Sequence, residues 1–341
     1  MTASPLDLLV LPAVLVTGRA ADEGLAGISD ALVYSAMAVY TASLVAYALD
    51  LGARRARPRE RTLVAAGAAG QEGVTTVEAP HPVGAGGQER QGKAARIGTS
   101  LFVLATLLHV GAIVARGLSV HRVPWGDAYE FALTGSVLVS LVFVVLLRRA
   151  QRWSWLGSFV VVPVLLALMV ATSFFYTEAS ALSPALQDSW LVVHVSIAFL
   201  ASALLTIGFS LAVVQLVQHR QEAVLAAGVS PSRFLARVPD SRTLEQTSFQ
   251  LHAVAFVLWT FTVVAGAIWA AEAWGRYWGW DPKEVWSFVI WVVYAAYLHA
   301  RSTAGWAGPR SAWIAVLGFA CLMFNFFGVN YLFVGNHSYA L

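Results

Sequence analysis

The part of this sequence with the strongest chemical character is a tryptophan-rich segment at residues 269–286, which also contains Tyr277, Arg276 and Lys283. Indole faces stack on flat apolar ligands, and cations beside them can bind carboxylates on the rim of such a ligand. An aromatic belt at a membrane surface is the alternative, but a belt spreads its tryptophans over many helix ends. The clustering therefore favours a site for a large flat ligand with a polar edge. The tryptophans are Trp269, Trp274, Trp278, Trp280 and Trp286.

Two local patterns indicate how helices hold this segment. Trp274 and Trp278 are four residues apart, so they would share one face of a short helix. Asp281 is a typical helix N-cap, and Pro282 fits the first turn of the helix that follows. The segment is therefore predicted to lead directly into a helix.

The composition identifies the surroundings of these helices as lipid. Of 341 residues, 58% are hydrophobic and 12% are charged, whereas a soluble domain has roughly 25% charged residues. This is too little charge to cover a soluble core, so the predicted fold class is all-α, a polytopic membrane bundle with about eight spans. The predicted spans are residues 29–51, 97–116, 128–147, 153–175, 190–217, 249–271, 286–300 and 311–333.

The positive charges predict the orientation of the bundle. Of the 22 Lys and Arg residues, 17 lie in one set of loops, which is expected to face the cytoplasm. Both termini and the tryptophan segment then face the exterior. The single cysteine, Cys321, excludes an internal disulfide. The predicted divisions are an outer N-terminal segment (1–28), a first span (29–51), a flexible basic cytoplasmic loop (52–96) and a membrane domain (97–341) with the tryptophan loop at 269–286.

Several motifs resemble one family. Residues 274–284, WGRYWGWDPKE, resemble the "WWD" signature of haem-handling proteins. Residues 297–301, YLHAR, and 330–339, NYLFVGNHSY, resemble the CcsA (ResC) branch, a subunit of the system II machinery for cytochrome c biogenesis. Residues 190–195, WLVVHV, and 124–130, PWGDAYE, extend the resemblance with lower specificity. It covers roughly the chain from residue 97 onward.

The resemblance implies that the ligand is haem b and that two external histidines bind its iron. Haem iron accepts neutral imidazole as an axial ligand. His194 is expected at the outer end of the fifth span and His337 just past the outer end of the eighth, both on the side of the tryptophan segment. A histidine bonded to loop backbone is the alternative for each. The other predicted haem-binding residues are Trp274, Trp278, Trp280, Asp281, Arg276 and Lys283.

A second haem site within the membrane is also implied, with His299 of the seventh span as one ligand. An ionisable residue inside a span is a functional candidate, although a helix-end histidine beside Arg301 is the alternative. The second ligand would come from a companion subunit of the CcsB (ResB) type. His109 and His252 also lie in predicted spans and have no assigned role.

The implied activity is that of a haem lyase, or cytochrome c synthase, subunit in the cell membrane. Haem would enter by way of His299 and be held with its vinyl edge outward while the CxxCH thiols of apocytochrome c add to it. Asp127, Tyr129 and Glu130 would line the cytochrome docking surface, or Asp127 would cap a helix. The alternatives are haem delivery to a chaperone, as in CcmC-type proteins, and a permease for another aromatic substrate. Nucleic acid is not expected as a partner.

Overall fold

The computed structural model describes residues 22–53, 92–149, 151–179, 189–228, 238–303 and 306–337. Across these ranges the chain forms eight long helices. Most of the predicted N-terminal segment (1–28) and basic loop (52–96) lies outside the described residues. The helices are α1 (Glu23–Ala53), α2 (Lys93–Val120), α3 (Ala128–Arg149), α4 (Gly157–Phe174), α5 (Ser189–Ala226), α6 (Ser241–Trp274), α7 (Pro282–Ser302) and α8 (Pro309–Met323), and the last continues through a π-helix (Phe324–Gly328) into the short α9 (Val329–Leu332).

The helices confirm an all-α polytopic membrane fold. In the described ranges, seven helical segments have the length and hydropathy of membrane spans. Helix α7 is not among them, and its first turn is polar, with Lys283 and Glu284. It nevertheless packs against α6, and Lys283 and Trp274, which ends α6, line the same cleft. At its other end, Arg301 bonds Glu245 near the start of α6, at 2.5 Å.

Helix α7 is longer than the apolar run from which its span was predicted. It covers Pro282–Ser302, whereas the predicted span is 286–300, and most of the extension is at its N-terminal end. There Asp281 accepts the Lys283 backbone N–H at 3.1 Å, and the Glu284 carboxylate accepts the Asp281 N–H at 3.1 Å. This capping box and Pro282 start the helix among polar residues, as the N-cap prediction required.

The packing divides the bundle into neighbouring halves. Helices α1 and α2 pack mainly against each other, as do α5 and α6. One hydrophobic core is formed mainly by α1 to α5. A second is formed by α5, α6, α7 and α8 around Trp259 and Tyr294. A smaller aromatic cluster around Phe199 and Trp269 lies where α5 begins and α6 ends. This last cluster forms part of the wall of a cleft.

Candidate functional site

A cleft opens where α5 begins and α6 ends, and nine aromatic side chains of the described residues line its walls. It encloses about 1190 Å³ of atom-free space, part of it open to the surroundings. Small-ligand sites are typically concave and lined largely by apolar and aromatic side chains, and this cleft is of that kind. Its rings come from α3, α6, the α6–α7 turn, the π-helix after α8 and the loop before α3: Trp125, Phe131, Trp259, Trp269, Trp274, Tyr277, Trp278, Phe326 and Phe327.

His194 lies in the first turns of α5 and lines this cleft. Its Nδ1 is 2.8 Å from the carbonyl oxygen of Thr262 on α6. Because a carbonyl only accepts, Nδ1 carries the proton and Nε2 carries the lone pair. The ring lies almost parallel to the indole of Trp269, with 6.1 Å between centroids. A Cβ at Gly266 would lie 2.7 Å from the His194 ring, so only glycine allows this close approach.

His337 follows α9 and also lines the cleft, where its ring lies near Trp269. Its Nδ1 donates to Asp281 Oδ1 at 2.8 Å, which places the lone pair on Nε2. The ring meets Trp274 edge-on, 5.0 Å between centroids. The indole of Trp269 lies 6.1 Å from the His194 ring and 5.9 Å from the His337 ring, so the imidazoles are within about 12 Å of each other. The structure therefore brings both predicted histidines to one cleft.

Asp281 lies behind His337 and fixes the segment that carries it. Its carboxylate also accepts the Asn336 backbone N–H at 2.5 Å. Burial tends to raise the pKa of Asp281, but hydrogen bonds from His337, Asn336 and Lys283 outweigh it and hold this pKa below its ordinary value. Asp281 is therefore ionised at neutral pH and anchors the C-terminal segment to the start of α7.

One end of the cleft is polar. The Lys283 ammonium donates to Asn330 Oδ1 at 2.6 Å, and Asn325 donates to the Ser287 hydroxyl at 3.3 Å. Among the described residues, the buried Asn325 Oδ1 has no hydrogen-bond donor. Arg276, the other cation predicted to meet the rim, is exposed and does not line the cleft. The structure thus offers Lys283, and not Arg276, to an anionic group inside the cleft.

The tryptophans of the predicted site point in different directions. Trp274 and Trp278 both line the cleft, but the predicted shared helix face is wrong. Helix α6 ends at Trp274, and Gly275, at φ 72°, starts a turn that brings Trp278 back to the cleft. Trp280 is 76% exposed, and the cleft walls do not include it. Its backbone has a φ of 59°, a left-handed conformation uncommon for a bulky residue.

The three other histidines of the predicted spans lie away from the cleft. His299 is exposed in the last turn of α7, about 24 Å along the helix from Lys283. His252 is buried between α5 and α7, with its Nδ1 2.7 Å from the Ser248 carbonyl. His109 is buried against Tyr40.

The three residues expected at a cytochrome docking surface are buried instead. Asp127, Tyr129 and Glu130 are 8%, 1% and 0% exposed, so that prediction is wrong. The alternative for Asp127 is correct, because its carboxylate accepts the Glu130 N–H at 2.8 Å in the first turn of α3. Asp127 and Glu130 are turned inward because they pair with Arg116, and Glu130 also with Arg122, while the Tyr129 hydroxyl donates to Asp30.

Several cleft residues had not been singled out from the sequence. Trp125 and Asn330 belong to segments that carried the family resemblance, so a signal for them existed. Phe131, Trp259 and Phe326 lie in apolar spans, where nothing local separates a cleft residue from a lipid-facing or core one. The π-helix in α8 is a further feature of this kind; such bulges often occur at functional sites.

The bundle and cleft define a polytopic helical membrane protein with an indole-lined cleft that contains two imidazoles. A family model described as "Cytochrome C assembly protein" matches residues 125–337. The "Cytochrome c biogenesis protein CcsA" of Synechococcus sp. (strain CC9902) is 35% identical over 263 residues, which are 70% of this chain and 85% of that protein. The chain belongs to the CcsA family of cytochrome c biogenesis proteins, which confirms the resemblance found in its motifs.

Other comparisons agree with this assignment. The CcsA protein of Guillardia theta is 34% identical over 262 residues, 71% of this chain and 85% of that protein. The solved structure called "Cytochrome c Heme Lyase CcmF" superposes with a TM-score of 0.60 over 92% of this chain. The chain covers 48% of that structure, about half its length, at 17% identity. At this identity, the similarity to CcmF concerns the fold alone.

Proposed function

We propose that this chain binds haem b in the aromatic cleft and presents it for attachment to apocytochrome c, as a subunit of a haem lyase. The observation that carries the proposal is the pair His194 and His337, which line one indole-walled cleft with each Nδ1 held by an oxygen atom. This arrangement orients Nε2 as a ligand, as second-shell partners do for metal-binding histidines. Among the described residues, no group of three or more His, Cys, Asp or Glu side chains could hold a bare metal ion.

The cleft suits haem as a substrate because it offers three kinds of contact. An indole such as that of Trp274 stacks on the porphyrin, the two imidazoles bind the iron, and Lys283 binds a propionate. A propionate at Lys283 directs the opposite, vinyl edge of the porphyrin toward the mouth of the cleft. The chain contributes orientation and exclusion of water.

Attachment itself needs no acid or base from this chain. Each thiol of the CxxCH motif adds across a vinyl double bond, so that sulfur bonds one carbon and the thiol proton goes to the other. The addition consumes no external oxidant or reductant. The histidine of the cytochrome motif then displaces one axial imidazole. We place this step on the exterior side, since the basic residues favour a cytoplasmic location for the opposite end of the bundle.

We also propose that His299 contributes to a second haem site that a companion membrane subunit completes. Its exposure at the end of α7, away from the cleft, suits a ligand shared with another chain. Haem handed from His299 to the cleft would have to travel most of the length of α7, about 24 Å.

The absorption spectrum of the purified protein tests haem binding directly. After haem-replete growth, we expect a Soret band of low-spin, bis-histidine haem, because two axial imidazoles close the iron site. One haem per chain is expected for this protein alone and two when the companion subunit co-purifies. The absence of a Soret band from the wild-type protein would remove every haem-binding role and favour a permease for another aromatic substrate.

Replacing Lys283 with methionine is expected to weaken haem binding about tenfold, the factor for about 1.4 kcal/mol, because a charge-assisted hydrogen bond to a propionate is lost. The matched control is Arg276→Met, which removes an exposed cation of the same loop and is expected to change the affinity little. Haem titration of the purified apoprotein gives both affinities.

The dimethyl ester of haem provides the decisive comparison. This ester lacks the propionate charge, so the wild-type protein and Lys283→Met should bind it with equal affinity. If Lys283→Met still weakens binding of the ester tenfold, or if both cation variants lose haem equally, Lys283 does not bind the propionate.

A further inference from the structure

The loop between α2 and α3 forms one wall of the cleft. Trp125, Gly126 and Asp127 all line it. The indole of Trp125 lies 6.0 Å from the ring of Phe199 and belongs to the same aromatic cluster as Trp269, on which His194 stacks. The position of this loop therefore affects the aromatic cluster that packs against the His194 imidazole.

The loop is held by a buried carboxylate, that of Glu130 in α3, which has no exposed surface. Its Oε2 accepts the Gly126 backbone N–H at 2.8 Å and an Arg122 N–H at 2.6 Å. Its Oε1 accepts Arg116 Nε–H at 3.0 Å and a second Arg122 N–H at 3.3 Å. One carboxylate thus binds both a side chain and a backbone group of the loop.

Other bonds also hold this loop and the helices beside it. The Thr134 hydroxyl of α3 donates to the Pro124 carbonyl at 2.8 Å. Arg116, which belongs to α2, also donates to the Thr177 carbonyl beyond α4 at 2.8 Å. Glu130 is therefore the point where α2, α3 and the loop meet, and a buried ion pair of this kind has value mainly by specifying one arrangement.

We infer that Glu130 is a positioning residue for the haem site: its carboxylate, bonded to Arg116, Arg122 and the Gly126 N–H, holds Trp125 as a wall of the cleft. The inference rests on the proposed haem binding and deepens it. Glu130 does not line the cleft, so it acts on haem through Trp125. Without the carboxylate, the loop withdraws and water reaches one face of the bound haem.

The test measures haem dissociation and the haem midpoint potential in purified holoprotein. Glu130→Gln keeps the shape of the side chain and removes its charge. We expect dissociation to become about tenfold faster, the lower end of the effect of removing a group that orients a metal ligand. The midpoint potential should fall, since solvent exposure of haem favours the ferric state. Trp125→Ala should produce both changes.

A double-variant cycle separates positioning from general destabilisation. If Glu130 acts through Trp125, the two substitutions together should speed dissociation no more than the stronger one alone. Arg122→Lys, which keeps the charge but loses the paired contact, should give a smaller change of the same sign and serves if Glu130→Gln does not accumulate.

The matched control is Glu245→Gln at the opposite end of the bundle. Glu245 is also buried, and it also bonds an arginine and a backbone N–H, those of Arg301 and Gly308. Its loss should leave dissociation and potential unchanged. Three results would overturn the inference while haem binding stands. The effects of Glu130→Gln and Trp125→Ala could be additive, or haem properties could be unchanged in both Glu130→Gln and Arg122→Lys. The third is an effect of Glu245→Gln equal to that of Glu130→Gln. A wild-type protein without haem would overturn both.

Discussion

Replacing His194 with alanine is expected to abolish haem retention by the purified protein and, with it, the maturation of cytochrome c. The substitution removes an imidazole whose Nε2 is oriented by the Thr262 carbonyl, 2.8 Å from Nδ1. Among the described cleft residues, only His337 would remain as an imidazole ligand. The loss of affinity should exceed the 10–100-fold that follows removal of a second-shell partner. The ratio of Soret to protein absorbance measures occupancy, and haem staining of the cytochromes measures maturation.

Two further measurements make this expectation specific to ligation. Added imidazole should enter the space left in His194→Ala and restore the Soret band. The control is His252→Ala, because His252 also bonds a backbone carbonyl, that of Ser248, but lies in the core between α5 and α7. It should retain haem in the fraction that folds. Full occupancy in His194→Ala, or an equal loss per folded molecule in His252→Ala, would show that His194 is not an axial ligand.

The second large effect is expected from Asp281→Asn, which should weaken haem binding about 10–100-fold, as removal of a carboxylate behind a metal-bound histidine typically does. Asparagine still caps α7, but it no longer offers a carboxylate to His337 and the Asn336 N–H. The tail then loses its anchor. Haem titration of the apoprotein, followed by absorbance, measures the change.

The charge of Asp281 also sets an expectation for pH. The pKa of Asp281 lies below its ordinary value in the folded protein. The contribution of the Asp281 charge to haem affinity is therefore complete above the ordinary pKa of about 3.9. The contribution disappears only as the pH falls through the lowered pKa. Between pH 5 and 7, the ratio of the haem affinity of the wild-type protein to that of Asp281→Asn should therefore not fall through protonation of Asp281.

Asp240→Asn is the matched control for Asp281→Asn. Asp240 is likewise an aspartate N-cap, accepting the Thr243 N–H at 2.9 Å, but it starts α6 at the end of the bundle opposite the cleft. Haem affinity should stay at the wild-type value. An equal loss in both variants would indicate that capping, and not support of His337, explains the effect of Asp281.

The sequence by itself determined the membrane fold and indicated that His194 and His337 lie near the tryptophan segment. Apolar runs of about 20 residues must become helices in lipid, because no other partner satisfies their backbone groups. The cap at Asp281 could be predicted because a side-chain oxygen there bonds nearby backbone N–H groups. His194 and His337 could be paired because span lengths and loop charges place both at one end of the bundle, and their motifs resemble those of the CcsA family.

Only the tertiary structure decided which side chains share the cleft. These spans are apolar nearly all round, so the sequence does not specify how far each helix is rotated about its axis. That rotation brings Phe131 and Phe326 to the cleft. Backbone conformation decided the rest of the tryptophan segment, since a turn at Gly275 returns Trp278 to the cleft while a left-handed φ leaves Trp280 outside. Glu130 was turned inward because two arginines from a neighbouring helix and loop meet it there, a contact between segments that no local pattern encodes.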